Sequence, residues 1–407
     1  MCGICGFNFE DRMLIKKMSD LIFHRGPDNE GFFIDNEISL GMRRLAIIDL
    51  KKGDQPQHNE EEDIWVVFNG EIYNFAILRR ELEFKGHIFY TNSDTEVIIH
   101  AYEEWGEKFL KKLRGQFAFC IYDSKKRNIF LARDALGLKP LYYYFDGEKF
   151  IFSSEIKCIL AHKIKKEINR KAFGSYISLG YTFSNLTLFK NIYKVPPSSY
   201  LIFNLNNSNL RIKKFWNLDF NIDKTKTEAI LSTELRNLLE ESVKIRLMSE
   251  VPLGVFLSGG LDSSSIVALM NKFSDNQIQT FSIRFEEGAP VDETSYANLV
   301  SDYYNTNHTE LLIKSSVYEI LPKLVWHFDD LIADPAIIPV YFMAKLAREK
   351  ITVALTGDGA DEIFAGYSEK YWLYGKRAYE FIPQKFYSLI PKIYNFVPSY
   401  KFQTLLS

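Results

Sequence analysis

A chain of 407 residues, 46% of them hydrophobic, holds enough apolar material for two or more separately packed cores. Its 50 basic and 52 acidic side chains leave a formal charge of −2, which gives no electrostatic footing for nucleic acid or an acidic membrane surface and directs attention to small molecules. No apolar run is long enough to span a bilayer, the start lacks a basic and apolar leader, and four cysteines (Cys2, Cys5, Cys120, Cys158) are too few to staple a chain this long, so a reducing, cytoplasmic setting is expected.

The chain opens Met1-Cys2-Gly3-Ile4-Cys5-Gly6. Removal of Met1, usual before a small residue, would leave Cys2 with both a thiol and a free α-amine of reference pKa about 7.7 to 8. One residue would then supply nucleophile and base, the logic of N-terminal nucleophile hydrolases. The stretch is also formally C-x-x-C, the spacing of a redox pair or half a zinc site. With no second C-x-x-C and no βαβ pattern before it, Cys5 reads better as a small buried hydrophobe.

Polar clusters then alternate with β-like runs such as 64–68. They are His24-Arg25-Gly26-Pro27-Asp28, Arg43-Arg44-Leu45-Ala46-Ile47-Ile48-Asp49, Phe68-Asn69-Gly70-Glu71-Ile72-Tyr73-Asn74 and Ser93-Asp94-Thr95-Glu96. An α-amino acid needs a planar cation for its carboxylate and carboxylates for its ammonium, chemistry that Arg44, Glu71 and Asp94 offer. Attack on a side-chain amide also needs donors for the oxyanion, a part open to Asn69 and the N–H of Gly70. Taken singly, each cluster is equally a turn, a cap or a surface pair.

Together these segments resemble the class II glutamine amidotransferase domain, whose N-terminal cysteine releases ammonia from glutamine. The resemblance implies an αββα fold of the N-terminal-nucleophile type. It implies Cys2 as nucleophile, Arg44 as carboxylate clamp, Asn69 and Gly70 as oxyanion hole, and Glu71 and Asp94 as ammonium ligands, with Leu45, Ala46, Ile47 and Ile48 lining the pocket. Arg133-Asp134-Ala135-Leu136-Gly137 and Lys139-Pro140-Leu141-Tyr142-Tyr143 share the likeness and take a structural role, as does His24.

Val195-Pro196-Pro197-Ser198-Ser199 marks a turn, and 204–209 with 221–227 are polar and loop-like. The expected division is a first domain over 1–205, a linker over 206–230 and a second domain over 231–407. That second domain alternates strands at 251–257, 279–285 and 351–356 with helical patterns, the signature of a parallel sheet.

Within it, the apolar run to Leu257 leads into Ser258-Gly259-Gly260-Leu261-Asp262-Ser263-Ser264, and helical spacing follows from Ser265 to Met270. Glycines let a backbone approach phosphates, and the free N–H groups and dipole of a helix start favour anions. A carboxylate beside phosphate is repulsive unless a cation lies between, which makes Asp262 a Mg²⁺ ligand. The loop lacks the lysine of a Walker-type phosphate loop and the spacing of a dinucleotide fingerprint. It resembles the pyrophosphate loop of the ATP pyrophosphatases, which adenylate a carboxylate or similar oxygen. A second strand end, Val353-Ala354-Leu355-Thr356, opens into Gly357-Asp358-Gly359-Ala360-Asp361-Glu362, where Asp361 is expected to share the Mg²⁺ with Asp262. Asp292 and Glu293 read as polar loop residues.

Both halves together resemble the glutamine-hydrolysing asparagine synthetases, from Cys2 to Gly366-Tyr367. The resemblance implies an α/β and α+β protein of two domains, the second an adenine nucleotide α-hydrolase-like (PP-loop) domain. Leu257, Ile283, Thr356 and Gly357 would hold adenosine, with Ser258, Gly259, Gly260, Leu261, Asp262, Ser263 and Ser264 on the phosphates of ATP. Asp358 would assist acyl-adenylate formation. Aspartate would be activated as β-aspartyl-AMP, with pyrophosphate released, and amidated by ammonia made at Cys2; a homodimer is one assembly the likeness allows. The sequence departs from the family at two places. Relatives continue past Ser407 through further helices and a lysine, so the second domain is expected to be incomplete and 370–403 to present apolar surface. Asp358 is a methylene shorter than the glutamate of many members, which leaves another carboxylate acceptor, such as a carboxy-sugar, as an alternative; an incomplete second domain leaves glutaminase activity alone as another.

Overall fold

The computed structural model describes residues 1–274, 276–285, 293–313 and 317–367, so Asp292 and the stretch 370–403 lie outside the described residues. The chain divides into two compact units, Met1–Leu355 and Thr356–Ser407.

The first half of the larger unit runs β1 (Gly3–Phe7), α1 (Arg12–Leu21), β2 (Asn29–Ile34), β3 (Ser39–Arg44), β4 (Gln57–His58), β5 (Ile64–Ile72), α2 (Phe75–Phe84), α3 (Asp94–Trp105), β6 (Gly115–Asp123), β7 (Asn128–Arg133), β8 (Tyr142–Phe145), β9 (Phe150–Ser153), α4 (Ile156–Leu160), α5 (Arg170–Leu179), β10 (Ile192–Lys194), β11 (Ser199–Asn204) and β12 (Asn209–Lys214). Two six-stranded sheets form, in the orders β10-β8-β9-β1-β3-β2 and β12-β11-β7-β6-β5-β4. All their pairings are antiparallel.

Side-chain alternation decides how these layers stack, because successive residues of a strand face opposite ways. Along β6, Ala118, Cys120 and Tyr122 join Ile4, Met42, Phe152 and Leu201 in one core between the sheets. The intervening Phe117, Phe119 and Ile121 pack under α2 and α3 with Val66, Phe68, Leu82 and Ile98. On the far side of β1, Cys5 and Phe7 meet Ile15 and Met18 of α1 and Ile159 of α4. The result is the expected αββα sandwich, with Cys5 a buried core residue. Each fully buried Phe or Ile contributes about 1.5–3 kcal/mol. β12 lies inside the stretch expected as a linker. Its residues pair with β11 in full register, and the polar composition of 204–209 makes only the turn between them.

The second half runs α6 (Glu228–Arg246), β13 (Leu253–Phe256), α7 (Leu261–Phe273), β14 (Gln279–Phe285), α8 (Thr294–Tyr303), β15 (Asn307–Ile313), α9 (Leu321–Phe328), α10 (Ile337–Ala347) and β16 (Val353–Leu355). Its sheet is parallel throughout, ordered β15-β14-β13-β16. One face is covered through Val243, Val267, Met270 and Ala297 of α6, α7 and α8, the other through Ala347 of α10. β13 is where the order reverses: the chain moves outward to β14 and β15, then returns to β13's other side as β16. Open α/β sheets bind ligands at the carboxyl ends of strands beside such a switch point.

Two acids at the end of α9 tie this half to the first. Asp329 accepts from the backbone N and Nζ of Lys157, both at 2.9 Å, and Asp330 accepts from Leu188 N at 2.9 Å. Among the described residues, no helix is long and apolar enough to cross a membrane.

Candidate active site

Register places the thiol. β1 pairs with β3 so that Gly3 faces Arg43, which sets Cys2 beside the residues that follow β3. Leu45 N lies 3.4 Å from Cys2 Sγ, and Leu45 O lies 3.7 Å from it. Arg25 Nε donates to Cys2 O at 2.9 Å, which fixes the backbone on the other side. β5 brings Gly70 and Glu71 to the same place, and Ser93 at the N-terminus of α3 brings Asp94. A pocket of about 330 Å³, counting the solvent in its mouth, is lined by Cys2, Arg44, Leu45, Ile47, Ile48, Gly70, Glu71 and Asp94. Phe68, Ser93 and Thr95, which stand in the quoted clusters without an assigned role, and Gly53 and Gln55, which were not read from the sequence, complete the lining.

Arg44 is buried and its guanidinium is already braced, by Asp54 at 2.6 Å and by the carbonyls of Ile48 and Asp49 at 3.0 and 2.7 Å. A planar cation held this way is preorganised for a carboxylate. Gly53 makes room for it, since a Cβ there would lie 2.4 Å from Arg44 Nη2. Gly70 is required for another reason: a Cβ would lie 2.1 Å from Gln116 O on the neighbouring strand.

Two polar groups stand out by what they lack. Among the described residues, neither atom of the buried Asn69 side-chain amide has a hydrogen-bond partner, and neither does Glu71 Oε2. Buried polar groups are normally completed by protein, water, an ion or a ligand, so these atoms are available to a bound molecule. Asn69 lies behind the lining rather than on it, and Ala46 points its N–H away, to Asp28 Oδ2 at 2.9 Å.

Burial sets the titration of the pocket. It raises Asp94 to about 6, against the pull of the Ile72 N–H. It raises Glu71 well above the carboxylate range, with Asp94 adding to the effect. It also raises the Cys2 thiol, opposed by the neighbouring α-amine and the Leu45 N–H. With Met1 in place that amine is Met1's, and burial brings it down to about 5, helped by Arg25 and Lys139. It is therefore a free base at neutral pH. Around the pocket, His24 Nε2 bonds Glu155 at 2.9 Å, and Arg133 binds the carbonyls of Gly137, Lys139 and Val195.

The Ser258 loop leaves β13 at its carboxyl end, beside the switch point. Gly259 adopts φ 85°, and a Cβ there would lie 2.4 Å from Ala297 N, so only glycine fits. Ser258 Oγ bonds Ser263 Oγ at 3.0 Å and accepts from Gly260 N at 3.2 Å, tying the loop over the first turn of α7. Gly260 caps that helix, Leu261 and Asp262 open it, and Ser264 Oγ is shielded without a partner among the described residues. Leu257 N is taken by Phe281 O at 2.8 Å, and Ile283 stands two residues further along β14. In the smaller unit, Thr356 Oγ1 donates to Asp358 Oδ2 at 2.9 Å, Gly357 O accepts from Ala360 N, and Asp361 lies in the first turn of α11 (Ala360–Phe364). Glu293, in turn, precedes α8, its carbonyl accepting from Tyr296 and Ala297.

An αββα sandwich with a thiol at its N-terminus, and a parallel sheet bearing a glycine-serine loop at its switch point, define a glutamine amidotransferase domain joined to a PP-loop domain. Comparison with known proteins agrees. Residues 1–216 match the family model described as glutamine amidotransferase domain, and 234–397 match the one described as asparagine synthase. The chain is 40% identical over 377 residues to the glutamine-hydrolysing asparagine synthetase 1 of Bacillus subtilis, covering 90% of this chain and 59% of that protein. It is 42% identical over 398 residues to a Methanocaldococcus jannaschii protein named "Putative asparagine synthetase (glutamine-hydrolyzing) 2", covering 90% and 76%. It is 33% identical over 400 residues to asparagine synthetase 3 of B. subtilis, covering 90% and 63%. The chain belongs to the glutamine-hydrolysing asparagine synthetase family and spans roughly three-fifths to three-quarters of the length of these relatives.

Proposed function

We propose that this chain converts aspartate to asparagine at the expense of ATP, using ammonia released from glutamine, with AMP and pyrophosphate as products. The observation that carries the reading is the pocket that gathers Cys2, Arg44, Glu71 and Asp94, with Glu71 Oε2 buried and without a partner among the described residues, in a chain that also holds the Ser258 loop at a sheet's switch point.

In this reading Cys2 Sγ attacks the side-chain carbonyl of glutamine. Its proton passes to the α-amine, which becomes Cys2's own once Met1 is removed. Arg44 holds the substrate carboxylate. Glu71 and Asp94 receive the ammonium, and the Gly70 N–H stabilises the oxyanion together with Asn69, whose side chain turns inward from behind the lining when glutamine binds. Ala46, whose N–H is held by Asp28, keeps its place with Leu45, Ile47 and Ile48 in the loop that shapes the pocket. At the second site the β-carboxylate of aspartate attacks the α-phosphorus of ATP, with Leu257, Ile283, Thr356 and Gly357 on adenosine and Asp358 assisting. Ammonia then reaches the acyl-adenylate inside the protein, which keeps it from protonation in water. Aspartate carboxyl oxygens are hard donors and suit Mg²⁺, so Asp262 on the Ser258 loop and Asp361 on α11 are the candidate carboxylates for the ion, which would neutralise phosphate charge. Four free cysteines fit a reducing cytoplasm.

Pyrophosphate release with MgATP, aspartate and ammonium tests the synthetase half without glutamine. Release that depends on aspartate supports the reading. Release with another carboxylate and none with aspartate replaces the acceptor. Glutamine hydrolysis with no release under any acceptor reduces the activity to a glutaminase.

A further inference from the structure

One wall of the glutamine pocket is held from outside the αββα sandwich. Ile47 and Ile48, in the connection between β3 and β4, line the pocket but belong to no strand. The following residue, Asp49, has φ 50°, a left-handed conformation that a non-glycine residue keeps only when its surroundings impose it. Several of those constraints are local. Asp49 O accepts from Arg44 and from Gly53 N, and Asp49 Oδ2 accepts from Asn92 N at 2.7 Å. Others come from Glu250, some 200 residues on in sequence. Its backbone N donates to Ile47 O at 3.0 Å, and its carboxylate accepts from Asp49 N at 2.9 Å and from Leu50 N at 3.4 Å. One residue thus grips three backbone groups within four consecutive residues of the wall.

The position of Glu250 is as informative as its bonds. It follows α6 and stands shortly before β13, the strand that leads to the Ser258 loop. Upstream on the same segment, Arg246 lies 4.7 Å from the Tyr73 ring, just past Glu71 on β5, and Glu241 pairs with Arg114, whose carbonyl accepts from Tyr73 N. The segment 241–250 therefore touches the pocket's surroundings on both sides, at the 47–50 wall and at the end of β5.

We propose that Glu250 is a positioning residue for glutamine, holding the 47–50 wall in its binding shape from the synthetase half. The proposal rests on the glutamine reading of the pocket. Hydrogen bonds from backbone N–H to an ionised carboxylate are among the stronger kind. Glu250 touches no reacting atom, so its loss weakens substrate and transition state alike and appears in KM with kcat nearly unchanged. Its side chain is exposed, so no core cavity follows its truncation.

The test compares Glu250→Ala and Glu250→Gln in the full chain. Calorimetry of glutamine binding is done in a Cys2→Ala background, and hydrolysis kinetics with Cys2 intact. Glu250→Ala is expected to raise both Kd and KM for glutamine about tenfold, with kcat within about twofold. Glu250→Gln, which keeps one acceptor oxygen, recovers most of that loss. Alkylation of Cys2 by iodoacetamide, which lacks an amino-acid moiety, is expected to keep its rate, whereas a purely structural defect would change it. Unchanged glutamine affinity in Glu250→Ala overturns the proposal while the glutamine reading stands. A parent chain that binds no glutamine overturns both.

Discussion

The two candidate sites are built from different materials. The glutamine pocket is a side-chain site: Arg44 is braced by three acceptors, the buried Asp94 stands with the half-buried Glu71, and the Asn69 amide has no partner among the described residues. The Ser258 loop is a backbone site, shaped by Gly259 at φ 85°, the Gly260 cap and the start of α7. A side-chain site fixes the identity of its ligand, in the proposed reading both ends of an α-amino acid. A backbone site fixes a class, polyphosphate, and leaves the acceptor to residues elsewhere.

That contrast breaks most sharply at Cys2. Cys2→Ala is expected to lower glutamine hydrolysis by about 10⁴-fold or more while ammonium-dependent pyrophosphate release persists. A parallel loss of both activities would show that the two sites do not work independently. Retained Met1 in the purified protein, read by mass spectrometry, is expected to mimic the variant, because the amine would then belong to the wrong residue. Asp262→Asn sharpens the other side. Pyrophosphate release should fall on the order of 100-fold, and glutamine hydrolysis should not change. The same assay on Asp361→Asn tests the smaller unit's carboxylate by itself.

How far the sequence disclosed these sites follows the same division. Arg44, Glu71 and Asp94 were legible because charged residues embedded in β-like runs need a reason to be buried. The phosphate loop was legible because glycine and serine between a strand and a helix form a local pattern. Gly53 and Gln55 were not, and Phe68, Ser93 and Thr95 were quoted only as cluster members without a role, since they enter the pocket through the pairing of β4 with β5 and the packing of α3 on that sheet. Gln55, for example, serves Phe68 N at 2.7 Å and Thr95 at 3.1 Å, contacts no linear spacing announces. β14 at 279–285 was placed as read, whereas β15 went unread because Asn307-His308-Thr309-Glu310 is polar and largely exposed, as suits an edge strand. β12 was read as linker for a similar reason, being mostly exposed and lysine-rich.

The contact between the halves gives a smaller effect that is still measurable. Lys157 is buried between Glu155 and Asp329 and lies 4.3 Å from the Trp326 ring. Asp329→Ala removes one partner of a buried cation and should cost about 3 kcal/mol, read as a fall in denaturation midpoint. A negligible change would mean that Glu155 alone satisfies Lys157.

The mildest effect concerns pH, and it separates stability from binding. Burial lifts Asp94 from its ordinary 3.8 to about 6. The folded chain therefore binds a proton that the unfolded chain has released across that window, and this residue's contribution to stability declines as pH rises through it. Glutamine's ammonium favours the ionised carboxylate, so binding runs the opposite way: KM should rise about tenfold for each pH unit below about 6 and level off above it. Asp94→Asn should flatten both profiles, leaving glutamine affinity low at every pH. Glu71, whose carboxyl burial still raises once the Asp94 charge is gone, is not expected to take over that titration. If the KM profile kept its break near 6 in Asp94→Asn, the titrating group would lie elsewhere, and the pocket's selectivity for an ammonium would rest on Glu71 instead.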